Sequence, residues 1–217
     1  LEWFTYYLQE EGPKPWLGVE IQSNQGPWRF EDRYPMTDTT ELVWELGSAD
    51  LASVGGGNTI RPDASSGPVY ETPPLEEDLY FGGLPRLHVN VNTATVGGQI
   101  YALLEDCDGA NCIHIGHAIM DLRYHAGGDD EQTWTPVFEE ITALMEFFPM
   151  DVEVPAGHTI KLTLRSTGED YLPSAASTLV TVVDAGSTLQ LDTFDPETRE
   201  YYETVMCTAQ ICKDNLD

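Results

Sequence analysis

Apolar residues recur at every second position from residue 15 onward. Leu17, Val19 and Ile21 alternate with Gly18, Glu20 and Gln22, and Leu42, Trp44 and Leu46 repeat the pattern around Val43 and Glu45. Further runs are Leu87, Val89 and Val91; Ile100 to Leu104; Ile113 to Leu122; Val152 to Val154; Ile160, Leu162 and Leu164; Leu179 to Val183; and Leu189 with Leu191. A period of two puts alternate side chains on one face of a strand. Gly55-Gly56-Gly57-Asn58, Ser65-Ser66-Gly67-Pro68, Gly97-Gly98, Gly127-Gly128 and Ala185-Gly186 separate the runs with turn-forming residues. No helix-length pattern alternates with the strands, which argues against a parallel α/β sheet. The expected fold is all-β, an antiparallel β-sandwich of jelly-roll type. Trp44, inside an alternating run, is expected in its core.

Three stretches depart from that regularity. Leu1, Phe4 and Leu8, with Trp3 and Tyr7 beside them, repeat at helical spacing until Gly12-Pro13. A helix this short is marginal alone in water, so it reads as the last helix of something upstream. Leu1 is not a start methionine and no signal-peptide pattern follows, so the expectation is a processed chain or a piece of a longer one. Residues 47–74 and 125–137 form long Gly-, Ser- and Asp-rich connections, a length that marks functional or mobile loops. The tail from Pro196 to Asp217 is expected to hold a short helix tied down by a cysteine pair. The predicted organisation is a terminal helix over 1–12, a sandwich over 13–195 and an acidic extension over 196–217.

The 37 acidic residues against 10 basic ones give a formal charge of -27. Such a surface repels polyanions, which sets nucleic acid and anionic membranes aside as partners. No apolar run approaches the about 20 residues of a spanning helix. The charge reads either as a solvated surface suited to salt-rich surroundings or as a cation site. A site would concentrate its carboxylates, yet 15 fall in residues 1–100 and 22 in the rest, so the solvated surface is favoured.

Four cysteines form two equally spaced pairs, Cys107 with Cys112 and Cys207 with Cys212, and allow three connectivities. The first pair encloses Asp108-Gly109-Ala110-Asn111, and a disulfide there would staple a hairpin tip. Disulfides are favoured over a four-thiolate zinc site, whose pairs more often have shorter spacing, and they imply an extracellular or cell-surface setting. Four unpaired buried thiols are the reading for a cytosolic chain. Asp106, Asp108 and Asn111 surround a glycine as hard calcium ligands do, but the downstream bidentate glutamate is missing and ordinary turn chemistry is favoured. No other cofactor is expected.

The chain has no G-x-S-x-G elbow, P-loop, dinucleotide fingerprint or H-E-x-x-H. His114 and His117, three apart on a strand, are expected on opposite faces, unable to share a metal without a bulge. His158, after Ala156-Gly157, is expected as a buried imidazole bonded to backbone. Trp16, Trp28, Trp44 and Trp134 are candidates for stacking on sugars or a partner, with core packing as the competing role.

The order of short motifs resembles one family. The helix Leu1 to Leu8 and the Pro15 to Ile21 strand look like the exit from an α/β-hydrolase domain, and Trp28 followed by Tyr34-Pro35 resembles a W-then-WP segment. Tyr70-Glu71-Thr72-Pro73-Pro74-Leu75, Gly82-Gly83-Leu84-Pro85, Leu104-Glu105-Asp106 with Asp108-Gly109, Ile115-Gly116 and the run from Pro149 to Leu164 then follow in the family's order. Over residues 1–184 the chain resembles the C-terminal domain of Xaa-Pro dipeptidyl-peptidases and cocaine-esterase-like serine hydrolases.

The resemblance implies a galactose-binding-like jelly roll that is non-catalytic, the serine, aspartate and histidine belonging to a preceding hydrolase domain with no matching position here. It implies that His158 lies in a strand element and is not the catalytic histidine. The implied partners are the upstream α/β-hydrolase domain of the same precursor and, through it, a peptide or ester substrate, with a homo-oligomer left open. The interdomain surface is then expected near Trp3, Phe4, Trp16, Trp28 and Tyr34. The alternative is an independent carbohydrate-binding module with a polar, aromatic groove away from the helix.

Overall fold

The computed structural model describes residues 2–15, 18–62, 67–125, 135–168, 171–172 and 178–202. Leu1, Trp16, Leu17, the acidic run at 129–131, Trp134, and Cys207 and Cys212 with the rest of the tail beyond 202 lie outside the described residues.

One helix, α1 (Glu2–Gln9), precedes the strands β1 (Val19–Gln22), β2 (Trp28–Glu31), β3 (Thr40–Glu45), β4 (Ala52–Gly55), β5 (Thr59–Ile60), β6 (Val69–Glu71) and β7 (Leu79–Gly83). There follow β8 (Arg86–Thr93), β9 (Gln99–Asp108), β10 (Asn111–Asp121), β11 (Glu140–Glu146), β12 (Met150–Val154), β13 (Thr159–Arg165), β14 (Val180–Thr193) and β15 (Tyr201–Tyr202). One sheet runs β10-β9-β13-β6-β4, and the other runs β11-β8-β14-β7-β12 with β3 and β5 also paired to β14. The strand pairs are antiparallel, and from β6 onward the chain passes back and forth between the two sheets, as a jelly roll does.

The alternation predicted from sequence supplies both inner faces. Leu87, Val89 and Val91 of β8 face Ile100, Ala102 and Leu104 of β9, joined by Ile160, Leu162 and Leu164 of β13, and all are fully buried. Each such aliphatic side chain contributes about 1.5–3 kcal/mol on burial, so the sandwich rests chiefly on this layer. Trp44 belongs to it as expected.

Residues 47–74 differ from the long connection read in the sequence, because β4, β5 and β6 lie within it. These strands have two to four residues, too short for a visible alternation. Close backbone approach holds them: a Cβ on Gly56, at φ +73, would lie 1.7 Å from the Gly67 carbonyl oxygen. Helix α1 also stops earlier than Gly12. Glu10 takes a left-handed φ of 58, its amide bonds to the Tyr6 carbonyl, and the Glu11 amide reaches back to Thr5, an αL-type closure. Residues 196–202 of the tail form a 3-10 turn (Pro196–Thr198) and then β15, which joins β1 and β2 in a small third sheet; the rest of the tail, over which a short helix was expected, lies outside the described residues.

Candidate functional site

Strand β2 alternates Trp28 and Phe30 with Arg29, and its register against β1 and β15 sends Arg29 inward. Arg29 is 1% exposed, which demands paired charges and satisfied hydrogen bonds. Both terminal nitrogens donate to the Asp151 carboxylate, Nε donates to Glu31 Oε1 at 2.8 Å, and Nη2 lies 3.2 Å from Met36 Sδ. The Phe194 ring sits 4.5 Å from the guanidinium carbon and the Tyr201 ring 5.9 Å. Burial alone would lower the Arg29 pKa, but the bonds to Asp151 and Glu31 outweigh it and hold it above the ordinary value. Gly82 makes room for this pair, since a Cβ there would lie 2.8 Å from Asp151 Oδ1.

A second arginine closes the group. Arg199 Nη1 donates to Asp38 at 2.6 Å and its Nε lies 3.2 Å from the same Glu31 oxygen. Tyr34, ahead of a cis peptide bond to Pro35, accepts from the Gly83 amide at 2.9 Å and bonds the Met150 carbonyl at 2.7 Å. Burial raises its pKa most, against the backbone bonds that lower it. Arg29, Tyr34-Pro35, Gly82-Gly83 and Met150-Asp151, scattered over more than a hundred positions, thus meet in one clamp that fastens the small sheet to the sandwich. Two adjoining clefts of about 330 and 230 Å³ share Glu31, Asp32 and Arg199 as walls.

Tyr34 therefore belongs to this clamp, its hydroxyl engaged by backbone, while Trp28 lies beside Arg29 on β2 with its side chain on the alternate face; both are half-buried. Trp3 and Phe4 sit on α1, 48% and 60% exposed, beside Tyr7 and the 72% exposed Leu8. Their rings form a small cluster, Trp3 to Phe4 at 5.5 Å and Trp3 to Tyr7 at 4.8 Å. Sequence reasoning missed Arg29, Glu31, Asp151 and Arg199. An arginine at an inward strand position, in a chain with only 10 basic residues, was the available signal.

Cys107 and Cys112 are disulfide-bonded across directly paired positions of the β9–β10 hairpin, whose two-residue turn places Gly109 at φ 59. Asp106 is buried and lies 2.7 Å from His158 Nδ1, while Asp108 and Asn111 are exposed at the tip. Among the described residues no three His, Cys, Asp or Glu side chains are placed to hold a metal ion. His158 thus bonds a carboxylate where a backbone partner was expected, and ties the start of β13 to β9.

The histidine pair departs further from expectation. Ile115 is passed over in the β10 to β9 pairing, a bulge between His114 and Gly116. The bulge cancels the alternation, so His114 and His117 stand on one face, with His114 Nε2 3.2 Å from His117 Nδ1.

The fold is a β-sandwich similar to parts of several solved structures. A CocE/NonD family hydrolase from Staphylococcus aureus superposes with a TM-score of 0.66 at 11% identity, over 89% of this chain and 45% of that one. An aminopeptidase from a marine sediment thaumarchaeon gives 0.53 at 12%, over 89% and 43%, and an alpha-amino acid ester hydrolase gives 0.52 at 12%, over 81% and 36%. The chain spans less than half the length of each. No curated protein matches. The family model for the X-Pro dipeptidyl-peptidase C-terminal non-catalytic domain matches residues 12–203, beyond residue 184 where the motif resemblance ended, and the chain belongs to that family.

Proposed function

We propose that this chain is the C-terminal accessory domain of a serine hydrolase acting on Xaa-Pro peptides or esters, packing on the catalytic α/β domain and helping to wall its substrate cleft. The observation that carries the reading is α1: an eight-residue helix with Trp3, Phe4, Tyr7 and Leu8 turned to solvent, at the edge of a domain whose family is non-catalytic. An aromatic surface of this kind contributes most when a partner covers it. The clamp around Arg29 gives the other expected surface residues a supporting role: it fixes the small sheet that carries Trp28. The Cys107–Cys112 disulfide and the charge of -27 support a place outside the cytoplasm.

The test compares turnover of Xaa-Pro amide and ester reporters by this chain and by the longer protein that includes the α/β-hydrolase domain. The reading expects hydrolysis by the longer protein alone. Turnover by residues 1–217, or an inactive longer protein together with binding on a glycan array, would overturn it.

A further inference from the structure

The bulge at Ile115 assembles a side-chain group on the outer face of the β10-β9-β13-β6-β4 sheet that the hydrolase reading does not use. His114 is exposed and His117 half-buried. His117 is enclosed by rings: Tyr101 stacks on it at 5.5 Å, Phe148 lies at 5.0 Å and Tyr171 meets it edge-on at 5.6 Å. Its Nδ1 faces His114 Nε2 at 3.2 Å and its Nε2 lies 3.0 Å from the Tyr171 hydroxyl.

We propose that His114 Nε2 and His117 Nδ1 form a two-imidazole chelate for a borderline divalent cation of the zinc, copper or nickel class. The spacing fits. Two nitrogens bound to one zinc at about 2.0–2.1 Å, with an angle between about 90° and 110°, lie about 2.9–3.4 Å apart. Imidazole selects these metals over calcium and magnesium, which prefer oxygen. Tyr171 supplies the outer support that ligating histidines usually have, because His117 Nε2–H can donate to its hydroxyl and leave the Nδ1 lone pair for the metal.

Binding replaces the N–H···N contact between the rings. The proton in that contact moves to the outer nitrogen of whichever ring carried it, Nε2 of His117 or Nδ1 of His114, so both rings stay neutral and no proton is lost. Among the described residues these two side chains are the ligands, and the remaining positions are open to further donors. The bulge is the device that makes this possible, since without it the two rings would stand on opposite faces of β10.

Calorimetric titration of residues 1–217 with Zn²⁺ tests the site. Molar salt suppresses diffuse attraction to the -27 charge by cutting the Debye length to about 3 Å. A Cys207→Ser, Cys212→Ser background removes the competing sulfurs. One saturable Zn²⁺ site is expected, lost in His114→Ala and in His117→Ala, retained in His88→Ala and not competed by Ca²⁺. Tyr171→Phe should weaken it about 10- to 100-fold, as loss of an outer-shell partner does. Because His117 is half-buried among rings, folding of the variants is checked by circular dichroism. Absence of a saturable site, or unchanged affinity when His114 and His117 are both replaced, would overturn the proposal.

Discussion

Arg29 shows how one side chain can organise the junction of a small sheet with a sandwich. It is 1% exposed and its partner Asp151 has a side chain 2% exposed, so the pair is screened from water on both sides. Desolvating the two ions costs several kcal/mol, which the bidentate bond, the Glu31 contact and the Phe194 ring together offset. Removing one partner leaves the other charge buried and alone. Arg29→Met is therefore expected to lower the unfolding free energy by about 3–5 kcal/mol in urea, and the Arg29→Met, Asp151→Leu double variant should recover part of that loss. A single-variant loss below about 1 kcal/mol would show that water reaches the pair. The residue was legible only in part: Trp28 and Tyr34 stood out as aromatic signposts, but the partner of Arg29 lies 122 positions away and no local pattern links them.

At the level of strands and hairpins, periodicity revealed β8, β9, β13 and β14, because their apolar positions alternate over five residues or more. It failed for β4 to β6, which are held by backbone approach at Gly56 and Gly67 and carry too few side chains to show a period. It revealed β10 as a strand but not its faces, because the single extra residue Ile115 reverses the faces after it and brings His114 beside His117. The first cysteine pair was legible, since a Gly-containing four-residue gap between apolar runs specifies a hairpin tip. Its sequence separation of 5 makes a short loop, for which chain entropy gives about 2 kcal/mol of stabilisation. Cys107→Ala with Cys112→Ala should reduce the unfolding free energy by about that amount in denaturant titration. Equal stability with and without the pair would mean that the ladder alone holds the hairpin, and would weaken the case for an oxidising compartment.

Across the whole molecule, the sandwich buries its apolar layers internally while the aromatic residues of α1 remain outside. Fold class and family were legible in the sequence because alternation and motif order are properties of the chain, whereas a docking surface depends on a partner that the chain does not contain. Docking of α1 on a hydrolase domain, as proposed above, is measured directly by calorimetric titration of residues 1–217 with the separately produced α/β-hydrolase portion. A 1:1 complex is expected, which Trp3→Ala with Phe4→Ala weakens at least about 700-fold, as loss of two aromatic anchors at about 2 kcal/mol or more each implies. No complex, or a complex that the double variant forms with unchanged affinity, would contradict it.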